Sequence, residues 1–479
     1  MEQLDLVILG AGAAGMPAAA FAASGGRRVT LVEVADRIGG SLHLSSGQMS
    51  AAGTRLQAAK KIVDSPDRHF DDIMRISGGT ANAELVRLAV DNAADTLHWL
   101  LDNGLEILPD HPIIHYGHEP YSVPRTYWGP EEGRSVLKVL APQVEKAVSD
   151  GRIDLRLGTR LQGIRRDNGS GLVLTFDSDK GRYEVAARDV IIATGGFSAN
   201  PELFRELVEK PLYGGGWDYN RGDGLVAAVK AGGTIANRDH FLPTFAGVRD
   251  PDAHGGVTFA TQTYPQFREP WELYVDGRGA RFVREDDPSV DRRERALREL
   301  PGMRFWALFD DRIRREAPSF FLGAEWDTVA RRFNKLPAYR CATSVSELAA
   351  RIGADEATLA ATIRAYNDAI VGNAPDPMGR QHRPLPITEP PFYAVEHLGW
   401  SIVSFPGLGV NGKLQVVDGD GQPIPGLYAA GEVLGLGATS GNAFCGGMGV
   451  TPAMTFGRLL GTRLGQASVA TAAAHPVHG

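Results

Sequence analysis

The hydrophobic pattern at the start of the chain predicts a strand, a turn, a helix and a second strand in close succession. Leu4 to Leu9 is a short apolar run, typical of a buried parallel strand, and it stops at a glycine-rich turn, Gly10 to Gly15. The alanine-rich stretch that follows carries Pro17, which suits a first helical turn. A second apolar run, Val29 to Val32, ends at Glu33. This order predicts a βαβ unit of a parallel sheet.

Helical periodicity marks two segments further along the chain. Between Ala83 and Asn103 the apolar residues fall near one face of a helix, and Gly104 is placed to end it. Asp355 to Ala369 has the pattern of another helix, with Asp355 suited to the N-cap position. Both segments therefore predict amphipathic helices that pack against a core.

The glycine-rich turn carries the first chemical signal. Gly10 allows a tight turn, Gly12 lets the backbone approach a pyrophosphate, and Gly15 lets the helix pack closely on the strand. Glu33 follows Gly15 at the spacing where a carboxylate can accept hydrogen bonds from ribose hydroxyls. The turn, in this setting, predicts a dinucleotide site.

Four more segments rich in small residues, at 39–54, 190–196, 222–224 and 427–450, suggest that a long ligand lies along the chain. Close backbone approach at five separated places favours FAD over NAD as the cofactor. The candidate cofactor-binding residues are Gly10, Gly12, Ala14, Gly15, Glu33, Gly40, Ser41, Ser46, Gly47, Thr194, Gly195, Asp223, Gly431, Glu432, Gly447 and Val450.

Composition narrows the classes of protein that remain. The 479 residues exceed what one hydrophobic core usually organises, so two domains are expected. A net charge of -7 with scattered basic residues argues against nucleic acid as a partner. The two cysteines, Cys341 and Cys445, lie far apart, so we expect neither a disulfide framework nor a cysteine metal site. Without a long apolar run or a basic leader, we expect no membrane span and a cytoplasmic location.

The chain resembles the flavoproteins of the fumarate reductase and succinate dehydrogenase type, with their relatives the 3-ketosteroid dehydrogenases and urocanate reductases. The segments that carry the resemblance are GAGAAG, LVE, GGSLHLSSGQMSAAGT, ATGGFSAN, RGDGL, RFVRED, GLYAAGE and PAMTFGRLLG. It implies an α/β fold: a Rossmann-like FAD-binding domain, split between residues 1–239 and 404–479, with an α+β capping domain inserted at 240–403. Succinate dehydrogenases attach FAD through a histidine near His43, but the local register differs by a residue, so non-covalent FAD is expected.

The resemblance also shows what this chain lacks. Fumarate reductases grip a dicarboxylate with His and Arg side chains, because a charged substrate needs charge-assisted partners. At the corresponding positions this chain has Leu242, Ser289, Ile402 to Phe405, and Phe444, with Arg292 and Arg293 in reach of the second only after a small slip in register. These replacements favour a substrate that is neutral or singly charged near the flavin.

The ketosteroid dehydrogenases imply another chemistry, in which a tyrosine base removes a proton next to a carbonyl. Gly447 falls on the glycine whose backbone N–H holds the carbonyl oxygen in that family, whereas the partnering tyrosine is replaced by Ala443. Tyr264 in the cap is a candidate base or an ordinary core residue, and for Tyr274 the core interpretation is favoured.

A loop rich in aromatic and basic residues supplies further candidates. It is either a turn-rich surface connection or a pocket rim in which Tyr121 or Tyr127 meets the substrate and Arg125 holds a remote carboxylate. Pocket-lining candidates are Phe245, Phe444 and Tyr116. The acidic run Glu285 to Asp287 is interleaved with arginines, which favours a salt-bridged surface over a metal site.

These features predict an FAD-dependent dehydrogenase that introduces a C=C bond next to the carbonyl of a cyclic ketone or keto-acid. The alternative is an ene-reductase of the fumarate or urocanate type, and a third class is a flavin-binding protein without turnover. A second dinucleotide fingerprint is not evident. The expected partners are therefore a small carbonyl compound and an electron acceptor such as oxygen, a quinone or an electron-transfer protein.

Overall fold

The computed structural model describes residues 1–166, 171–372 and 375–472. Strands β1 to β18, in chain order, are Glu2–Leu9, Val29–Val32, Met49–Ser50, Thr126–Tyr127, Ile153–Arg156, Arg160–Arg166, Leu172–Ser178, Gly181–Ile192, Ile235–Ala236, Thr244–Arg249, Val257–Thr258, Leu273–Val275, Arg304–Asp310, Tyr339–Ala342, Phe392–Trp400, Gly407–Leu408, Gln415–Val417 and Pro423–Ala429. Helices α1 to α14 are Gly15–Ser24, Arg55–Ala59, Pro66–Ser77, Ala83–Asp102, Gly133–Ser149, Pro201–Val208, Asp223–Lys230, Val290–Glu299, Asp311–Glu316, Trp326–Ala330, Val345–Ile352, Glu356–Ile370, Gly437–Ser440 and Val450–Ala472.

The larger sheet holds the predicted βαβ unit at its centre. Its strand order is β17-β18-β8-β1-β2-β5, and β1 runs parallel to both β2 and β8. Strand β18, from the C-terminal part of the chain, pairs in parallel with β8, with Leu427 opposite Val190. The sequence is therefore split around this sheet as predicted, and the α/β fold class is confirmed.

The first and last helices pack unusually closely. Three glycines of α14, Gly457, Gly461 and Gly465, lie one turn apart, and a Cβ on any of them would press on the backbone of α1 at Ala14, Ala18 and Ala22. Because this stripe lets the two backbones approach, α1 and α14 together support the glycine-rich turn after β1.

A second, antiparallel sheet lies between the two parts of the larger one in sequence. Its strand order is β11-β10-β15-β13-β12, with β14 pairing to β15, and helices α8 to α12 lie in the same stretch of chain. Its core is aromatic: the ring of Phe305 packs against Phe245, Tyr274 and His397. This sheet forms the body of the cap, and the boundaries at 240 and 403 stay a prediction.

Both helices inferred from periodicity are present. Helix α4 covers Ala83–Asp102, and Gly104 after it has a φ of 95°. Helix α12 covers Glu356–Ile370, and the Asp355 side chain accepts a hydrogen bond from the backbone N–H of Thr358, as an N-cap does. The two helix predictions and the capping residue are confirmed.

Candidate active site

A long cavity of about 440 Å³ opens at the carboxyl ends of the parallel strands β1, β2, β8 and β18. Ligands of α/β folds bind at this edge of the sheet. Fourteen of the sixteen predicted cofactor-binding residues line it, namely Gly10, Gly12, Ala14, Glu33, Gly40, Ser41, Ser46, Thr194, Gly195, Asp223, Gly431, Glu432, Gly447 and Val450. The five glycine-rich segments therefore meet along one groove.

The other two predicted residues, Gly15 and Gly47, serve the surrounding structure. A Cβ on Gly15 would overlap the carbonyl oxygen of Gly10, and one on Gly47 would meet the backbone at Glu132 and Gly133. Gly12 differs, because a Cβ there would meet nothing within 4 Å. Gly12 is thus free of protein neighbours on the side where a ligand would lie, which fits a pyrophosphate.

Two buried carboxylates line the cavity in fixed orientations. Glu33 accepts hydrogen bonds from the backbone N–H groups of Ala11 at 2.8 Å and Ala35 at 2.9 Å. Glu432 accepts from the backbone N–H and hydroxyl of Ser404, at 3.0 and 3.2 Å, and from the Asn220 amide at 3.3 Å. Burial raises the pKa of both carboxyls. Carboxylates held in this way are suited to accept from ligand hydroxyls.

The loop before α14 brings its backbone to the cavity. Gly447 has a φ of 78°, and a Cβ there would overlap the backbone of Met49 and Ser50, so only glycine fits. The hydroxyl of Thr451 accepts from the backbone N–H of Ser50 at 2.8 Å and fixes the first turn of the helix. The N-terminus of α14, with Val450, therefore faces the cavity and favours negative charge in it.

The residues present fit FAD. The hydroxyl of Thr194 lines the cavity, is buried, and has no partner among the described residues, so it is available to a ligand. His43 is not among the lining residues: its Nε2 lies 3.0 Å from the carbonyl oxygen of Ile38, and its ring stacks on Trp217. This placement agrees with FAD that is held without a covalent bond.

The other end of the cavity is formed by five residues that we call the substrate end. They are His118, Trp400, Ile402, Val403 and Phe444. The rings of His118 and Phe444 stack with centroids 4.1 Å apart. Trp400 Nε1 and His118 Nδ1 are buried without a hydrogen-bond partner in the described parts of the chain. The substrate end thus offers an apolar surface with two free polar atoms.

His118 is neutral at physiological pH. Burial lowers its pKa to about 3, and the nearby His115 adds to the shift. A neutral imidazole carries one N–H and one acceptor nitrogen, so His118 can donate to or accept from an uncharged substrate group.

Cationic side chains are missing from the lining. Over the described ranges, neither lysine nor arginine lines the cavity, whose charged residues are Glu33, Asp223 and Glu432. Of the positions expected to replace the dicarboxylate contacts, Ile402, Val403 and Phe444 line the cavity, whereas Leu242 is buried away from it. The cavity therefore offers no cation to a dicarboxylate.

The expected role of Arg125 requires correction. Its guanidinium is fully buried and forms salt bridges with Asp64 and Asp72, each at 2.8 Å, so it cannot hold a substrate carboxylate. The neighbouring tyrosines are also internal, since the hydroxyl of Tyr127 bonds to Thr54 at 2.6 Å and that of Tyr121 donates to the carbonyl of Gly446 at 2.7 Å. Burial raises the pKa of both tyrosines, and neither lines the cavity.

The candidates in the cap do not reach the cavity. Tyr264 is buried, its hydroxyl lies 3.5 Å from the carbonyl oxygen of Phe245, and burial followed by the nearby Glu294 raises its pKa. A tyrosinate base needs the opposite shift. Phe245 is a core residue beside Tyr274, and Tyr116 is 45% exposed. Of the predicted substrate-contacting and catalytic side chains, Phe444 is the one found at the substrate end.

Several lining residues were missed from the sequence. His118 was noted only as part of an aromatic and basic loop, and Gln48, Trp217, Asn220 and Trp400 lie outside the candidates. Burial of the histidine ring depends on Phe444, more than 300 residues away in sequence, so the loop composition was the one available signal.

Two other structural properties agree with the sequence. Within residues 1–166, 171–372 and 375–472, three or more His, Cys, Asp or Glu side chains never come together as a metal site would require. The same ranges hold no helix with the length and hydropathy needed to cross a membrane.

Comparison with known proteins identifies the family. The model of the FAD binding domain family matches residues 5–448. The chain is 29% identical over 472 residues to fumarate reductase (cytochrome) of Shewanella frigidimarina, covering 96% of this chain and 76% of that protein. It is 25% identical to the vinyl phenol reductase of Lactiplantibacillus plantarum, covering 90% of each.

A solved structure shares the fold over nearly the whole length. The 3-ketosteroid delta1-dehydrogenase of Sterolibacterium denitrificans superposes with a TM-score of 0.75 and 20% identity, over 98% of this chain and 100% of that one. At this identity the likeness concerns the fold alone. The chain belongs to the FAD binding domain family and is a flavin-dependent oxidoreductase acting on carbon–carbon bonds.

Proposed function

We propose that this protein is an ene-reductase that reduces an activated C=C bond in an uncharged, planar substrate. The direction departs from the desaturase predicted from the sequence, and similarity supports the change. The relatives at 25 to 29% identity carry the names of reductases, whereas the ketosteroid dehydrogenase likeness concerns the fold alone. FAD, when bound, supplies two-electron hydride exchange with a carbon of the substrate.

One observation carries the substrate class: the described cavity lining contains no lysine or arginine. Two carboxylates of a fumarate-like substrate would be buried there without charged partners, which is costly. An uncharged conjugated ring would instead lie against Phe444 and the apolar side chains Ile402 and Val403. The name vinyl phenol reductase shows that a relative acts on a molecule of this type.

Two residues would orient the activating group. The free Nε1–H of Trp400 can donate to a carbonyl oxygen or a similar acceptor, because an indole nitrogen is a donor only. His118, neutral and held by its stack on Phe444, supplies a second polar atom. Hydrogen bonds of this type withdraw electron density from the conjugated bond and make it a better hydride acceptor.

The test is anaerobic oxidation of dithionite-reduced protein by a panel of alkenes, followed by flavin absorbance. We expect 4-vinylphenol or 2-cyclohexenone to reoxidise the flavin, and fumarate to do so far more slowly. Trp400→Phe should lower the rate by about 10- to 100-fold while the fold is kept, since one hydrogen bond is lost. Trp271→Phe, in the cap and away from the cavity lining, is the matched control.

Two results would contradict the proposal. Fast reoxidation by fumarate would contradict the uncharged substrate class. Bleaching of the oxidised flavin by a saturated ketone, without reoxidation by any alkene, would establish desaturation, which the same uncharged substrate end also suits. The physiological electron partner and the cytoplasmic location stay predictions.

A further inference from the structure

A second cavity, of about 520 Å³, lies where the cap meets the FAD-binding part of the chain. Helix α3 contributes Arg75, the loop after His118 contributes Glu119, and the cap contributes Ser289, Asp291 and Arg292. His118 lines the first cavity and its neighbour Glu119 lines the second. The two cavities are therefore separated by little more than one segment of backbone.

Glu119 joins the two parts of the protein at this point. Its carboxylate accepts hydrogen bonds from the hydroxyl of Ser289 and, at 3.2 Å, from the backbone N–H of Asp291. Ser289 is the N-cap of α8, and its oxygen accepts from the backbone N–H of Arg292. Glu119 thus sits on the N-terminus of a cap helix although it belongs to the other domain.

Asp291 is the innermost acid of this cavity and is only 7% exposed. Its Oδ2 lies 3.3 Å from Arg295 Nη2, whereas its Oδ1 is buried with no partner among the described residues. Arg295 also donates to the carbonyl oxygen of Asn442, in the loop that carries Phe444 to the substrate end. The free oxygen of Asp291 therefore lies behind the loop that forms the substrate end.

The groups around Asp291 set its protonation. Burial raises its pKa to about 6, Glu119 adds to the rise, and Arg295 opposes it. One turn further along α8, burial and Asp291 raise the pKa of Glu294 well above its ordinary value. The Cys445 thiol, which also feels Asp291, has a raised pKa and stays neutral. Asp291 can therefore gain and lose a proton close to neutral pH.

We propose that Asp291 and Glu119 form a proton relay that links water in the second cavity to the substrate end of the first. The proposal rests on the proposed function, since reduction of C=C adds a hydride, with its electron pair, to one carbon and a proton to the other. The hydride comes from flavin that an external reductant has reduced. The proton comes from Asp291, which recovers it from water through Glu119. Both are relay residues and are not placed in contact with the substrate.

The kinetic test uses the FAD-loaded protein, reduced with dithionite and reoxidised by an alkene across a range of pH. Asp291→Asn should slow the proton-dependent step by about 10²-fold and remove the pH dependence near pH 6. Glu119→Gln should move that dependence to lower pH, because it removes a charge that raises the pKa of Asp291. The control is Glu299→Gln, an exposed acid at the other end of α8, which should change neither.

The second measurement does not depend on turnover. An infrared difference spectrum of the oxidised protein between about pH 5 and about pH 8 should contain a carboxylic acid band that Asp291→Asn removes and Glu119→Gln shifts. A band untouched by both substitutions would overturn the relay, as would unchanged kinetics in Asp291→Asn. If the wild-type protein reduced no alkene, the proposed function would fail, and the infrared band alone would then decide whether Asp291 exchanges a proton.

Discussion

The two ends of the main cavity are built in different ways. The cofactor end is formed largely by backbone, with glycines such as Gly12 and Gly195 where the chain turns or approaches the ligand. The substrate end is formed by the side chains of His118, Trp400 and Phe444, which come from three distant segments. A site made of backbone is encoded locally, whereas a site made of side chains depends on which residues the fold brings together.

The sharpest test of the backbone-built end compares two glycines of the first turn. Gly12→Val should fold and lose bound flavin completely, because its side chain meets no protein atom and projects where the pyrophosphate would lie. Gly15→Val should fail to fold, because its side chain overlaps Gly10. Flavin absorbance of the purified proteins and their circular dichroism check both expectations.

The control for that pair is Gly163→Val, at a strand position that also has no neighbour within 4 Å and lies outside the cavity lining. It should keep its flavin. Retention of flavin by Gly12→Val would show that the cofactor does not approach this turn.

The next largest effect concerns Arg125, which the structure moves from substrate contact to core. Arg125→Met should lower the free energy of unfolding by about 3 to 5 kcal/mol, since it leaves the buried carboxylates of Asp64 and Asp72 without a cation. Urea unfolding measures this. Arg87→Met, which removes an exposed pair with Asp67, should cost less than about 1 kcal/mol. A change in KM alone, at full stability, would restore the original role.

A smaller effect of opposite sign is expected at Asp291. Its pKa is raised in the folded state, so the folded protein is favoured while the carboxyl is protonated and loses that stability as pH rises through about 6. Asp291→Asn should therefore gain about 1 to 2 kcal/mol at about pH 8 and almost nothing at about pH 4. Urea unfolding at the two pH values tests this, and a loss of stability at pH 8 would contradict it.

The smallest effect is expected at Tyr116. Its side chain is 45% exposed and lies outside the cavity, so Tyr116→Ala should change stability by less than about 0.5 kcal/mol and leave the reoxidation rate unchanged. A clear fall in rate would mean that the loop closes over the substrate.

The contrast between the two ends explains what the sequence could predict. Strand, turn and helix signals are local, so the βαβ unit, the split sheet and most cofactor-binding residues followed from them. The burial of Arg125 could not follow, because it depends on Asp64 and Asp72, which α3 and the segment before it place beside the guanidinium. Tyr264 likewise looked like a base until its buried surroundings were known.

The parallel pairing of β18 with β8 has a consequence for biosynthesis. About 230 residues separate the two strands, so a ribosome needs roughly 10 to 50 s to deliver β18 after β8 has emerged. During that interval the edge of β8 is without its final neighbour, and α14 has not yet been made to pack on α1. The nascent chain must therefore wait for its last segment before it can hold a cofactor, and a ribosome that stalls inside the cap would leave an open sheet edge prone to aggregation.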